Sequence, residues 1–202
     1  MVDGEADQAR RPASQDRILD AARQCFREGG IRRTTMSDVA TASGVSRQLV
    51  YKIFLGRREL IEAAAIARIR ELAADLTPDD WEEGSGAEQF VAVSVAVIRR
   101  IRTDRELQNL LGDESPVSLH EVLWLDSVRE MGVAFWAPWL ERARRAGVLR
   151  ADLSDDDLGD WLQTVYASII LRRHIDPESE RAMIERFVLT SLSMAGGAPP
   201  QG

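Results

Sequence analysis

The sequence predicts an all-α protein built from a small N-terminal three-helix domain and a larger C-terminal helical bundle. Apolar residues recur at steps of three and four along nearly the whole 202-residue chain, which is the spacing of one helix face. Runs of β-branched residues bounded by hairpin turns, which would indicate strands, are not found in the sequence. With 45% hydrophobic and 29% charged residues, the composition is typical of a folded globular protein rather than a disordered one.

Capping residues mark the helices of the N-terminal part. Residues 1–13 are polar and predict a flexible tail before the first helix. Thr35, with Asp38 three residues later, predicts a capping box. Gly44 suits a left-handed turn, and Ser46 is a cap for the helix that follows. Helices are predicted over residues 14–28, 35–42, 46–53 and 57–74.

The C-terminal part reads as a bundle of longer helices. The segment 87–102 is apolar on most sides, which predicts a central position in the bundle. Ser154 and the three acids after it suit the positive end of a helix dipole. The predicted helices cover residues 87–102, 106–111, 118–146, 154–173 and 177–194. The predicted domains are therefore 14–56 and 57–195, followed by a flexible tail over 196–202.

Charge is distributed unevenly along the chain. The formal net charge is −7, yet residues 10–60 carry 11 Lys and Arg against 5 Asp and Glu. From residue 61 onward, 15 basic residues face 25 acidic ones. A basic head on an acidic body is typical of nucleic-acid binding, although chance clustering of surface arginines gives the same pattern.

Several other functions find little support in the sequence. A single cysteine, Cys25, excludes an internal disulfide, and His120 and His174 do not give a metal-ligand spacing. The longest nearly apolar run, Phe90 to Ile98, is far shorter than the ~20 residues of a membrane span. Neither a Gly-rich phosphate loop nor a nucleophile elbow is found. We expect a cytoplasmic protein that is not an enzyme, with no membrane, metal or cofactor.

Residues 35–53 carry the sharpest functional signal. Two short capped helices flank the turn Ala42-Ser43-Gly44-Val45. In a helix-turn-helix of this kind, the second helix projects into the DNA major groove while the first braces it. A purely structural helix pair is the alternative reading of the same pattern.

The segment 17–60 resembles the TetR family of transcriptional regulators. The resemblance rests on Phe26, Gly30, Thr35, Gly44-Val45-Ser46, Tyr51 and Phe54. Two residues depart from the family pattern. Ser43 stands where a smaller residue is usual, and Arg57 stands where a phosphate-contacting lysine is frequent. The resemblance implies a homodimer on double-stranded operator DNA, with an effector pocket and a dimer interface formed by the last two helices.

Side-chain chemistry assigns the DNA contacts on this reading. Hydroxyl and guanidinium donors suited to phosphates are Thr35, Ser46, Tyr51 and Arg57. Long polar side chains on the second helix, able to reach base edges, are Arg47, Gln48 and Lys52. For each of these residues, a solvated surface position is the alternative.

Bulky apolar residues are spaced at helical intervals along the predicted helix 118–146 and its neighbours. Such a stripe is either core packing or the wall of an effector pocket. The effector candidates are Phe90, His120, Trp124, Met131, Phe135, Trp139, Gln163 and Tyr166. The dimer-interface candidates are Leu158, Trp161, Val165, Ile169, Ile184, Phe187 and Ser191.

Together these features predict a bacterial repressor that a small hydrophobic effector releases from a palindromic operator. The 25 arginines beside a single lysine indicate a GC-rich bacterial genome. The alternative is a helical ligand-binding or interaction protein without specific DNA function.

Overall fold

The structure, a computed structural model, describes residues 3–76, 86–172 and 175–193. Its regular elements are helical and confirm the predicted fold class. They are α1 (Asp3–Gly29), α2 (Met36–Ser43), α3 (Arg47–Ile53), α4 (Arg57–Ala74), α5 (Gly86–Thr103), α6 (Arg105–Leu110), α7 (Leu119–Leu123), α8 (Asp126–Arg145), α9 (Asp155–Ile170), α10 (Pro177–Met183), a π-helical segment (Ile184–Leu189) and α11 (Thr190–Leu192). Among the described helices, none combines the length and apolar character needed to cross a membrane.

The chain forms two compact units. The N-terminal unit comprises Met1–Arg68 and Asp104–Val122, and the C-terminal unit comprises Ile69–Thr103 and Leu123–Gly202. The division falls inside α4, whereas the sequence suggested a boundary at residues 56/57. The N-terminal unit therefore also contains most of α4 and the whole of α6. The functional division at residue 56 stays a prediction.

Ion pairs attach α6 to the rest of the N-terminal unit. Arg23 of α1 donates from Nε to Glu106 Oε1 at 2.6 Å and from Nη2 to Glu106 Oε2 at 3.0 Å. Arg68 of α4 donates to Asp104 Oδ2 at 2.7 Å, and Asp104 itself caps α6. All four side chains are largely buried. Buried bidentate pairs fix geometry more strongly than exposed ones do, so they hold α6 in a defined place within this unit.

Helix α5 lies at the centre of the C-terminal unit, as its apolar circumference predicts. It packs against α8, α9, α10 and the π-helical segment. Phe90 and Ile98 of α5 are fully buried, and Phe90 lies 4.7 Å from Trp136 and 4.5 Å from Trp139 between ring centroids. Aromatic contacts of this kind add to the apolar burial that stabilises the unit.

The first helix begins at Asp3, so the prediction of a tail over residues 1–13 is corrected. Residues 5–11 are rich in Glu, Ala, Gln and Arg, which are good helix formers, and polarity alone was a poor guide there. The predicted tail over residues 196–202 lies outside the described residues.

The predicted helix 118–146 is two helices, α7 and α8. Leu125, with φ −71° and ψ 141°, has extended backbone and precedes α8. The interruption is stabilised from α9, because Gln163 Nε2 donates to the carbonyl oxygens of Leu123 at 3.0 Å and Leu125 at 3.4 Å. Periodicity missed the interruption because the apolar spacing runs through it.

Helix α7 has its own N-terminal cap. Glu121 Oε2 accepts from the backbone N and the Oγ of Ser118, both at 2.8 Å. Arg58 Nη2 donates to Glu121 Oε1 at 2.7 Å. The hydrogen bond from the Ser118 backbone, followed by those from Arg58 and the Ser118 hydroxyl, lowers the pKa of Glu121 from 4.5 to about 2.

The last predicted helix, 177–194, changes its winding. Residues Ile184–Leu189 are π-helical, and a turn with i→i+5 hydrogen bonds rotates the side chains out of α-helical register. As a result Ile184 is fully buried while Phe187 is 68% exposed, although α-helical spacing predicted one shared face.

Candidate functional site

The helix-turn-helix of the N-terminal unit is formed by α2, α3 and the tight turn between them. Gly44, at φ 66° and ψ 26°, has left-handed backbone, which favours glycine. Its N–H donates to the carbonyl of Thr41, and that of Val45 donates to the carbonyl of Ala40, both at 3.2 Å. Ser46 then caps α3 by accepting from Leu49 N at 3.1 Å. The turn thus ends one helix and starts the next within three residues.

Four predicted DNA contacts share the exposed face of α3. Arg47, Gln48, Tyr51 and Lys52 are all exposed. The Arg47 guanidinium lies 5.5 Å from the centre of the Tyr51 ring, which is a cation–π distance. Val50, on the opposite side of α3, is fully buried and anchors the helix.

The remaining predicted phosphate contacts differ in how far their donors are already engaged. Thr35 forms the predicted capping box, in which its hydroxyl donates to Asp38 Oδ2 at 2.8 Å and accepts from Asp38 N at 3.2 Å. Asp38 Oδ2 also accepts from the Thr35 backbone N at 2.8 Å. This bond, followed by the one from the Thr35 hydroxyl, lowers the pKa of Asp38, so a carboxylate lies beside Thr35. Arg57 Nη1 donates to the carbonyl of Arg32 at 3.1 Å. Ser46 is exposed but caps α3. Thr35 and Ser46 therefore both have a structural role as caps, and their phosphate contacts stay predictions.

The C-terminal unit contains an apolar cavity of about 100 Å³. Its walls come from the C-terminal half of α4 and from α5, α8 and α9. The lining includes Ile69, Leu72, Val97, Ile101, Val128, Met131, Gly132, Phe135, Trp136, Gly159, Leu162, Gln163 and Tyr166. Sequence reasoning missed the α4 residues and, on α5, Val97 and Ile101, because apolar positions there look like any helix face in the core.

Half of the predicted effector residues line this cavity. They are Met131, Phe135, Gln163 and Tyr166. Phe90 and Trp139 are buried against each other instead, and Trp139 Nε1 donates to the carbonyl of Gly86 at 2.7 Å. Trp124 lies in the interruption before α8 and is 44% exposed, and His120 is exposed on α7 in the N-terminal unit. These four residues do not line the cavity, and their role in effector binding stays a prediction.

Polar side chains at the cavity form hydrogen bonds and ion pairs with other residues of the chain. The Tyr166 hydroxyl is 2.7 Å from Ser94 Oγ, and burial raises the pKa of Tyr166 well above its usual value. Arg100 pairs with Asp75 at 3.2 Å. Arg129 approaches Asp156 at 3.4 Å. Since the arginine heads pair with exposed acids, mainly the aliphatic stems are left to cover apolar surface.

The predicted dimer residues divide into buried and exposed groups. Leu158, Ile169 and Ile184 are at most 2% exposed within the chain itself and cannot contact a partner, so the prediction was wrong for them. Helix α9 is apolar on two sides, and periodicity alone could not tell the core side from the outer one. The outward group comprises Trp161 at 42% and Phe187 at 68% exposure, with Val165 and Ser191 half-buried. Trp161 Nε1 donates to Ser191 Oγ at 2.9 Å, which places α9 and α11 side by side.

Solved structures of other proteins share this fold. The R. erythropolis transcriptional repressor QsdR covers 93% of this chain and 99% of its own, with a TM-score of 0.67 at 21% identity. The crystal structure of RolR in complex with resorcinol covers 92% of this chain and 90% of its own, with a TM-score of 0.65 at 14% identity. At these identities the likeness concerns the fold.

Sequence comparison identifies the family. The profile described as "Bacterial regulatory proteins, tetR family" matches residues 18–64, which include the whole helix-turn-helix. The HTH-type transcriptional regulator SrpR of Pseudomonas putida is 36% identical over 95 residues, which are 47% of this chain and 43% of SrpR. The HTH-type regulator TtgW of Pseudomonas putida is 35% identical over 95 residues, 47% of this chain and 68% of TtgW. The chain spans less than half of SrpR but two thirds of TtgW. On this evidence, with the exposed α3 and its capped turn, the chain belongs to the TetR family of DNA-binding transcriptional regulators.

Proposed function

We propose that this regulator is a cytoplasmic repressor that binds a two-fold symmetric operator as a homodimer and leaves it when an apolar effector enters the cavity of the C-terminal unit. The observation that carries the proposal is the exposed face of α3, where Arg47, Gln48, Tyr51 and Lys52 project from a helix anchored by buried Val50. Base readout is assigned to Arg47, Gln48 and Lys52, and phosphate contact to Thr35, Ser46, Tyr51 and Arg57.

Dimerisation is assigned to the outward face formed by α9, the π-helical segment and α11. An exposed phenylalanine and an exposed tryptophan on neighbouring helices form the kind of apolar patch that a partner covers. Trp161 and Phe187 are that pair. A two-fold dimer also presents two copies of α3, which a palindromic operator requires.

Effector control is assigned to the cavity and to α4. Ile69 and Leu72, in the C-terminal half of α4, line the cavity, while the N-terminal half begins four residues after α3. A ligand that displaces the cavity end of α4 therefore acts on the helix that leads from α3. The crystal structure of RolR, a protein of the same fold, contains the small aromatic ligand resorcinol. This supports a small, largely apolar effector for the present chain.

The DNA proposal is tested by selecting operators from a random pool and measuring affinity by gel shift at several salt concentrations. We expect a palindromic site and affinity that falls steeply with salt. Arg47→Ala should cost about 1 to 3 kcal/mol and relax sequence preference, whereas Arg57→Ala should weaken all sequences alike. Arg145→Ala removes an exposed arginine of α8, which pairs with Glu141, and is the control. An Arg47→Ala variant with unchanged affinity and preference would refute the assignment, and tight ligand binding without any operator would favour a ligand-binding protein.

The repressor proposal is tested by adding effector to the DNA complex. A coupling free energy of about 1 to 3 kcal/mol is expected, and because coupling is reciprocal, operator DNA must weaken effector binding by the same factor. Phe135→Ala, which alters the cavity wall, should change effector affinity in the absence of DNA. An effector that binds equally to free and DNA-bound protein would refute release.

A further inference from the structure

We propose that the cavity selects a neutral, single-ring ligand that carries a hydrogen-bond donor, such as a phenol, and that Gln163 Oε1 is its acceptor. The inference rests on the proposed effector role of the cavity and adds to it the chemical class of the ligand. It is carried by the orientation of the Gln163 amide, the pairing of the other polar groups, and the cavity volume.

The orientation of the Gln163 amide follows from its partners. The atom 3.0 Å from the carbonyl oxygen of Leu123 and 3.4 Å from that of Leu125 must be the amide nitrogen, because a carbonyl oxygen can only accept. The opposite end of the planar amide is therefore Oε1. Within the described part of the chain, no residue donates to this oxygen. Gln163 lines the cavity, so the polar function it can offer a ligand is that of an acceptor.

The other polar groups around the cavity are already matched. The Tyr166 hydroxyl and Ser94 Oγ share one hydrogen bond, and Ser94 Oγ also donates to the carbonyl of Phe90 at 2.6 Å. Arg129 lies 3.4 Å from Asp156 and 3.5 Å from Asp160. A ligand anion would have to compete with these carboxylates and lose its hydration among apolar walls, which is costly. A neutral donor meets Oε1 without that cost.

The cavity volume suits a ligand of about one ring. The volume is about 100 Å³, whereas a dry apolar cavity of about 150 Å³ binds benzene. Met131, a flexible side chain in the wall, supplies the small adjustment that a single ring needs. Phe135 and Trp136 provide aromatic walls for such a ring.

Phenol and fluorobenzene test the proposal, because they have nearly the same shape and differ in the donor. Binding is measured by isothermal titration calorimetry and by tryptophan fluorescence, on the full chain without DNA. We expect phenol to bind about fivefold tighter than fluorobenzene, the effect of one neutral hydrogen bond. Benzoate, an anion at neutral pH, should bind more weakly than either.

Substitution of Gln163 locates the acceptor. In Gln163→Met, which keeps side-chain length, the preference for phenol should fall to about onefold. Gln108→Met makes the same change on α6, outside the cavity lining, and should leave the preference for phenol unchanged. If Gln163→Met does not fold, the wild-type ratio of phenol to fluorobenzene still decides.

Equal affinities in the wild type, tighter benzoate binding, no binding of either ring, or a preference that survives in Gln163→Met would overturn the proposal. If the preference is found but phenol does not weaken operator binding, the inference stands and effector release fails. If other apolar compounds release DNA without any preference for a donor, release stands and this inference fails.

Discussion

Two glycines in the wall of the cavity should respond in opposite ways to replacement by alanine. Gly132 in α8 and Gly159 in α9 both lie inside helices, and both line the cavity. A Cβ added at Gly132 meets no atom within 4 Å. At Gly159 the same atom would lie 2.6 Å from Val133 Cγ2 and 3.3 Å from Arg129 Nη1. The pair therefore isolates the effect of close approach between α8 and α9.

The magnitudes follow from helix propensity and packing. Replacing an interior glycine by alanine stabilises a helix by about 1 kcal/mol, and this gain is common to both positions. Gly132→Ala should therefore raise the unfolding free energy by about 1 kcal/mol. At Gly159 the contact is with a β-branched side chain of restricted χ1, so the helices must separate, at a cost of about 1 to 3 kcal/mol. The difference between the variants should equal that cost.

Urea unfolding followed by circular dichroism measures the difference. A Gly159→Ala variant as stable as Gly132→Ala would refute the close packing of α8 on α9. The two variants also separate stability from ligand binding. Gly132→Ala should bind a single-ring ligand more weakly although it is more stable, because the new methyl group takes up cavity volume.

Three further predictions concern other parts of the molecule. Phe187→Asp should convert a dimer into a folded monomer in sedimentation analysis, while Val148→Asp, a charge at another exposed apolar residue, should leave the dimer intact; a dimeric Phe187→Asp would count against the interface. Because the pKa of Glu121 is lowered from 4.5 to about 2, its contribution to stability is complete above pH 4.5 and is lost as the pH falls toward 2; Glu121→Gln should remove that part of the pH dependence in acid unfolding curves, and unchanged curves would contradict the assignment. Arg102→Met should cost about 2 to 4 kcal/mol in urea unfolding, since it leaves buried Glu180, 2.7 Å from Arg102 Nη1, without that partner; a double change to methionine at both positions should recover most of the loss, and no recovery would mean that the cost lies elsewhere.

Local sequence signals were sufficient wherever a single residue determines the backbone. Thr35, Gly44 and Ser46 were predicted as caps or turn residues, and the structure confirms each. The TetR family, predicted from segment 17–60, and the helical fold, predicted from apolar spacing along nearly the whole chain, are also confirmed. Membership in a family of regulators likewise confirms that the chain is not an enzyme.

Predictions failed where the outcome depends on contacts distant in sequence. The interruption between α7 and α8 is stabilised by Gln163, 38 to 40 residues further on. The π-helical segment separates Ile184 from Phe187, although their spacing suits one α-helical face. In both cases the apolar spacing of the sequence continues unchanged through the irregularity, so a rule based on spacing cannot detect it.

Helix α9 controls the cavity from one face. Gly159 and Gln163 are four residues apart and so lie on the same side of α9. Gly159 permits the close approach of α8 at Val133 and Arg129, and Gln163 donates to the carbonyl groups of Leu123 and Leu125 just before α8 begins. The depth of the cavity and the starting point of α8 are thus set by neighbouring turns of one helix. Under the ligand class proposed above, a donor bound to Gln163 would therefore act on the residue that donates to the backbone between α7 and α8.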